Sequence, residues 1–286
     1  MKVISKIKGG LGNQMFQYAC GRAIAHRLRA NLYLDLSWFE GGNRVYMLDA
    51  FPNIRCSYAQ TKKSLFQKII ALFERVTTPI RSIRETDYSY WPEIENVQSS
   101  VHLEGYWQNE NYFSAISSIM KQEFQFPNFS CSEAEDIATK INASSCSVSI
   151  HIRRGDYVEN PSVNLVHGVC SLEYYEKALQ IIMDRFNMPL KLFLFSDDPN
   201  WVKGHFDTQR CPSVFVDVQQ HKDTPIHDMH LMSLCQHHII ANSSFSWWAA
   251  WLSSNTSKGI VVAPKQWFAE ETMKRHNPSR SSWITI

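Results

Sequence analysis

Arg153 and Arg154 stand side by side in "SVSIHIRRGDYVEN" (147–160), directly after Ser147, Ser149 and His151 alternate with Val148, Ile150 and Ile152. A period of two marks a half-buried strand, so both guanidinium groups fall at a strand's carboxyl end, where open α/β sheets bind ligands. Neighbours on an extended chain point to opposite sides. One arginine can therefore fork onto phosphate oxygens while the other pairs with a local carboxylate such as Asp156. The competing readings are a solvated charged turn and an adhesion tripeptide, Arg154-Gly155-Asp156. The adhesion reading needs export, whereas the chain opens on the strand-like "MKVISKI" without a signal peptide.

Two further segments suit anionic ligands. In "ANSSFSWWAAWL" (241–252), Ser243, Ser244 and the backbone N–H groups after Asn242 form an anion site at a helix start. The plainer alternative is a capping serine before a core helix, and Trp247, Trp248 and Trp251 read as packing under either. In "KGGLGNQMFQ" (8–17), Gly9, Gly10 and Gly12 allow a tight turn and close approach of backbone to a ligand. Asn13 then sits at the helix start with its amide toward a cleft; the alternative is an ordinary βα turn that Asn13 caps. The segment is neither the dinucleotide fingerprint G-x-G-x-x-G nor a P-loop, which needs Gly-Lys-Ser/Thr.

Absent motifs constrain the chemistry further. There is no Asp-x-Asp pair, and the histidine pairs His227/His230 and His237/His238 lack a matching carboxylate or thiolate cluster. No metal is expected, so a phosphate site must neutralise charge with arginine and helix termini. The net charge of +2 and pI near 8.1 argue against a nucleic-acid binder. The seven cysteines are scattered and include no C-x-x-C, which suits reduced thiols in a cytoplasmic protein. In that setting the sequons at Asn128, Asn142, Asn242 and Asn255 are chance matches. No apolar run approaches the roughly 20 residues of a transmembrane helix.

The elements that must position these residues read as two α/β units. "VISKI", a glycine turn, "MFQYACGRAIAHRL" and "NLYLDLSWF" give strand, helix and strand; residues 53–100 are irregular apart from a helix around "SLFQKIIALFERV". From about residue 143, "CSVSIHI", "LKLFLFSDD", "SVFVDV", "HIIAN" and "GIVVAP" are strands. They alternate with helices at "SLEYYEKALQIIMDRF", N-capped by Ser171, at "PIHDMHLMSLCQH" and at "SFSWWAAWLS". This order implies parallel sheets covered on both faces. The lobes are expected at 1–142 and 143–286, with the last segment free to cross back to the first. In 61–85, Leu65, Phe66, Ile69, Ile70 and Phe73 recur at helical spacing among lysines and arginines. This reads as a surface helix or, more sharply, as a peripheral contact with an anionic membrane leaflet.

Together these segments resemble the bacterial α-1,2-fucosyltransferases of glycosyltransferase family 11. The likeness rests on "GGLGNQMFQYA" (9–19), "LEGYWQNENYF" (103–113), "HIRRGDY" (151–157), "LFLFSDD" (192–198) and "DMHLMSLCQHHIIANSSFSWWAAWL" (228–252). It implies a GT-B-like α/β fold, two Rossmann-like lobes with a cleft between them, the first on the acceptor side and the nucleotide mainly on the second. It also implies inverting, metal-independent transfer of L-fucose from GDP-β-L-fucose to the 2-hydroxyl of a terminal β-galactoside. The product would be a glycan such as an O-antigen unit, made in the cytoplasm on an acceptor that can be lipid-linked.

Carried onto this chain, the resemblance puts Arg153 on the diphosphate, His151 beside the nucleotide and Asn13 at the bond being broken. Ser244 and Phe245 then offer backbone donors, with Gly10, Gly12, Arg154 and Ser243 around the nucleotide and Asp197 or Asp228 helping to hold GDP. Asp156 and Glu104 are the candidates for a base. A fucosyltransferase of another linkage or acceptor (α-1,6 or peptide) and a noncatalytic nucleotide- or glycan-binding protein are the alternatives.

Overall fold

The computed structural model describes residues 1–42, 44–59, 80–186, 188–217, 224–255, 259–273 and 275–286, with Asp156 and Thr224 described by their backbone. Its contacts divide the chain into two units, Met1–Gln125 and Phe126–Ile286. Each carries a parallel sheet, so the expected α/β class holds. The division falls before the helix Ser132–Asn142 rather than after it. Within the second unit the His230 ring stacks on Phe126 and Phe129, at 4.6 and 4.3 Å between centroids. Ser130 Oγ also lies 3.2 Å from His227 Nε2. These ring contacts tie residues 126–130 to the helix Thr224–Leu234, and nothing in the hydrophobic pattern announces them.

In the first unit β1 (Lys2–Lys6), β2 (Asn31–Asp35), β3 (Ser57–Tyr58), β4 (Arg81–Arg84) and β5 (Val101–Glu104) pair in parallel in the order β3-β2-β1-β5-β4. The chain runs outward from β1 to β3, then returns on the other side, so β1 and β5 flank a switch point. Helix α1 (Leu11–Leu28) connects β1 to β2. Two of its glutamines are fully buried and spend their amides on backbone. Gln17 Oε1 accepts Lys8 N–H at 2.8 Å, while Gln14 bonds Gly9 O, Val45 O and Met47 N–H, each at 2.9 Å. The turn after β1 is thereby braced from the helix. β4 escapes a pattern search because "RSIR" is an edge strand with only Ile83 buried. The helix expected at "SLFQKIIALFERV" lies outside the described residues; the end of the 61–85 stretch is β4.

In the second unit β6 (Ser147–Ile152), β7 (Lys191–Ser196), β8 (Ser213–Val216), β9 (His237–Ile239), β10 (Val261–Ala263) and β11 (Ile284–Thr285) pair in parallel in the order β11-β10-β9-β6-β7-β8. Here β6 and β9 flank the switch point. Contrary to the half-buried reading, all six residues of β6 are buried. A central parallel strand is covered on both faces, and its polar side chains find internal partners instead of water. Ser149 Oγ lies 2.9 Å from His238 Nδ1, and Ser147 Oγ accepts Gln236 N–H at 3.1 Å.

Ser171 caps the helix Leu172–Arg185 as expected, accepting Tyr174 N–H at 3.2 Å. Trp247, Trp248 and Trp251 are buried and packed on one another. Trp247 also meets Trp283, with 5.5 Å between centroids, and donates Nε1–H to Pro278 O at 2.8 Å. They are core, each indole filling volume that smaller side chains would leave as a void. All seven cysteines are unpaired. Among the described residues no helix is long and apolar enough to cross a membrane.

Candidate active site

Strand register builds the first feature. β6 and β7 pair with Ile152 opposite Ser196, so the next residues off the sheet set Arg153 against Asp197 and Arg154 against Asp198. Arg153 Nη1 lies 2.7 Å from Asp197 Oδ2, and the other oxygen of Asp197 accepts Arg154 N–H at 2.8 Å. Arg154 Nε lies 3.6 Å from Asp198 Oδ2, and its guanidinium sits 3.5 Å from the centre of the Trp201 ring. The two arginines do take different jobs, but their carboxylates come from the neighbouring strand end. The side chain of Asp156, the local carboxylate expected to pair, lies outside the described atoms. Both arginine side chains are partly exposed, 22% for Arg153 and 19% for Arg154, and the Arg153 guanidinium also lies 5.2 Å from the centre of the Tyr157 ring.

Gly155 makes room for this arrangement. A Cβ there would stand 2.4 Å from Asp197 Oδ2, so any larger residue displaces the carboxylate that aligns Arg153. Asp197 itself is poorly suited to touch a phosphate, since like charges repel; its geometry is that of a residue orienting the arginine.

The other side of the switch point is the helix Ser244–Leu252. Ser243 caps it, its Oγ accepting Phe245 N–H at 3.3 Å, so capping and anion reading share the same atoms. Asn242 locks the approach: its Nδ2 donates to His167 O at 2.8 Å and Trp267 O at 3.2 Å, and its carbonyl accepts Tyr157 O–H at 3.4 Å. His151 bridges the two halves, its ring 5.6 Å from that of Phe245. Burial, reinforced by the Arg153 charge, pushes the His151 pKa down to about 3, so the imidazole is neutral near pH 7.

Asp228 lies on Thr224–Leu234, the helix packed against Ser244–Leu252. Its Oδ1 is buried and has no hydrogen-bond partner among the described residues. Burial first, and the Asp217 charge second, raise its pKa from 3.8 to about 7. The folded chain thus holds this proton more tightly than the unfolded one, and the associated stability, full at low pH, is lost as pH rises from 3.8 to about 7. Asp228→Asn removes that loss. The urea midpoints at pH 5 and pH 8 are therefore expected to lie closer together in the variant than in the wild type, and equal spacing would contradict the assignment.

In the first unit the helix start is organised differently from the capping reading. Gly10 is the N-cap of α1, so Gly12 and Asn13 fall inside the first turn. Gly9 adopts φ +79°, and a Cβ there would lie 2.9 Å from Asn13 Nδ2. Asn13 Oδ1 accepts Gln108 Nε2–H at 2.7 Å, which places "YWQNENYF" beside the glycine turn.

Glu104 is committed to Lys6 and Arg84, each at 3.0 Å; these bonds lower its pKa, which suits a structural carboxylate rather than a base. Among the described residues no group of three His, Cys, Asp or Glu is arranged to hold a metal.

The structure thus brings His151, Arg153, Arg154, Asp197, Ser243 and Phe245 to one sheet end, with Ser244 opening the helix there. Gly10, Gly12 and Asn13 belong to the other unit. Asp198, Trp201, Gly155, Asn242 and Gln108 were missed. Asp198 was findable by aligning "SIHIRR" with "FLFSDD" as parallel neighbours.

The profile described as Glycosyl transferase family 11 matches residues 2–286. The chain is 35% identical to an alpha-1,2-colitosyltransferase of Escherichia coli, over 99% of this chain and 98% of the relative. It is 32% identical to the O-antigen biosynthesis glycosyltransferase WbnK of Escherichia coli, over 99% of both. A solved structure of an Arabidopsis thaliana FUT1 mutant in complex with GDP shares the fold. Its TM-score is 0.54 at 11% identity, covering 95% of this chain and 72% of that one.

Proposed function

Because the chain belongs to glycosyl transferase family 11, we propose that it transfers L-fucose from GDP-β-L-fucose to the 2-hydroxyl of a terminal β-galactoside. The reaction inverts the anomeric centre, needs no metal, and serves a surface polysaccharide such as an O-antigen from the cytoplasmic side. The observation that carries this reading is the Arg153–Asp197 pair at the switch point beside the helix start at Ser244. As the glycosidic bond breaks, charge gathers on the β-phosphate of the leaving GDP. A guanidinium already aligned by a carboxylate stabilises that charge without reorganising, and helix N–H groups add to it. Arginine and helix terminus thereby supply the positive charge that a divalent cation provides elsewhere.

Asp228 suits the guanine end, since a carboxylate accepts hydrogen bonds from adjacent N–H donors such as guanine N1 and N2. His151, neutral and buried, shapes the site beside Phe245 rather than carrying charge. In the first unit Gly10, Gly12 and Asn13 open helix α1 after the glycine turn.

A second donor is favoured by one observation, the 35% identity to a colitosyltransferase. Colitose is fucose without its 3-hydroxyl, so the same diphosphate machinery would serve either sugar. The deciding experiment measures GDP release from GDP-fucose and from GDP-colitose, with a panel of β-galactosides, in EDTA. Galactoside-dependent release with one donor, undiminished by EDTA and giving an α-1,2 product by NMR, is the expected result. No galactoside-dependent release with either donor would overturn the reading.

A further inference from the structure

The first unit holds a cavity of about 400 Å³ to which no role has yet been given. Residues 84–88 after β4, residues 104–106 after β5, and Lys8 after β1 line it. It therefore opens at the carboxyl ends of three adjacent parallel strands, on the switch point between β1 and β5, where open α/β sheets take ligands. Its size falls in the roughly 300–1,000 Å³ range of small-molecule sites.

Its centre is Glu85. One carboxylate oxygen accepts Tyr106 N–H at 2.6 Å and the other accepts Trp107 N–H at 3.0 Å. The chain is bent hard to achieve this. Trp107 takes a left-handed φ of 54°, and a Cβ on Gly105 would stand 2.5 Å from Glu85 Cβ. Strained backbone of this kind persists where the surroundings over-determine it, commonly at ligand sites. Each carboxylate oxygen accepts more than one hydrogen bond, so Glu85 retains acceptor capacity beyond the brace. Burial raises its pKa to about 7, so near neutral pH it can meet a hydroxyl as donor or acceptor.

The rest of the lining selects the ligand class. The Lys8 ammonium lies 4.4 Å from the Tyr106 ring centre, and Tyr88 stacks on Tyr106 at 6.0 Å and 15°. Two cations, Lys8 and Arg84, face three carboxylates, Glu85, Asp87 and Glu104. With Lys6 also paired to Glu104, cations and carboxylates are close to balance, so the lining offers a phosphate no strong excess of positive charge. A neutral polyol, with hydroxyls that both donate and accept and with an apolar C–H face for the tyrosines, fits it.

We infer that this cavity is a subsite for a neutral pyranoside of the acceptor glycan, held by hydrogen bonds to Glu85 and Lys8 and by contact with Tyr88. The inference rests on the glycosyl-transfer reading above. The tests are direct binding of methyl β-D-galactopyranoside, by saturation-transfer NMR, and acceptor kinetics, applied to wild type, Lys8→Met, Tyr88→Leu and Glu85→Gln. Lys8→Met and Tyr88→Leu leave the brace on residues 106 and 107 intact, so they carry the test even if Glu85→Gln misfolds.

The expected result is an acceptor KM raised about tenfold or more by losing one charge-assisted bond, with galactoside saturation transfer lost and GDP affinity unchanged. Folded Lys8→Met and Tyr88→Leu proteins with unaltered acceptor KM would overturn the subsite while leaving the reaction standing. A wild-type chain that binds the galactoside, loses it in Lys8→Met and yet transfers no sugar would retain the subsite and reject the reaction. Binding of inorganic phosphate, in place of galactoside, that is lost in Lys8→Met would also overturn the inference.

Discussion

Arg153→Ala is expected to lower kcat by about 10²–10³-fold, the typical loss on deleting one preorganised donor to a developing oxyanion, while the protein stays folded. The fold survives because Arg153 follows the carboxyl end of β6, 22% exposed, with its charge outside the core. The core beneath it is made by Val148, Ile150 and Ile152, which the substitution does not touch. The damage is thus confined to the end of β6. Removing the guanidinium also leaves the Asp197 carboxylate facing the diphosphate unopposed, so the loss contains repulsion as well as missing stabilisation. Single-turnover kinetics with far-UV circular dichroism checks this. Retention of more than about a tenth of wild-type kcat, well short of that expected loss, would reject Arg153 as the diphosphate contact.

Asp197→Ala is expected to lower kcat by about ten- to a hundredfold, the worth of a charge-assisted hydrogen bond at roughly 1.5–3 kcal/mol. Its mechanism is different. Asp197 holds Arg153 through one oxygen and the Arg154 N–H through the other, so its removal frees the arginine from its productive direction. Donor KM should not rise in step, because an acid beside the phosphates disappears at the same time. The decisive feature is coupling. If Asp197 acts through Arg153, adding Asp197→Ala to Arg153→Ala costs little more than Arg153→Ala alone. Fully additive losses in the double variant would show that Asp197 has an independent role.

How far the chain could be read in advance depended on what each feature needs. Apolar runs such as "LKLFLF" declare themselves because burial demands them, and the tryptophans of "SWWAAWL" read correctly as core for the same reason. β4 carries one buried side chain, Ile83, so its strand character comes from pairing with β5 rather than from its own pattern. The polar residues of β6 suggested a solvated face because hydrogen bonds to Ser149 and Ser147 from distant segments are invisible in a linear pattern.

The site divided in the same way. Residue types and strand ends pointed to Arg153, Ser243 and Asn13. The partners that give them direction, Asp197 to Arg153 and Gln108 to Asn13, required register and long-range contact. Nearness along the chain pointed to Asp156, whose side chain lies outside the described atoms, while Asp197 and Asp198 come from the next strand.

The most direct test of the central claim, that Arg153 at the end of β6 binds the diphosphate, is calorimetric titration of wild type and Arg153→Ala with GDP and with guanosine. The expected result is that wild type favours GDP over guanosine by about ten- to a hundredfold, and that Arg153→Ala erases most of this preference while guanosine affinity holds. An Arg153→Ala protein that keeps the full preference for GDP would contradict it.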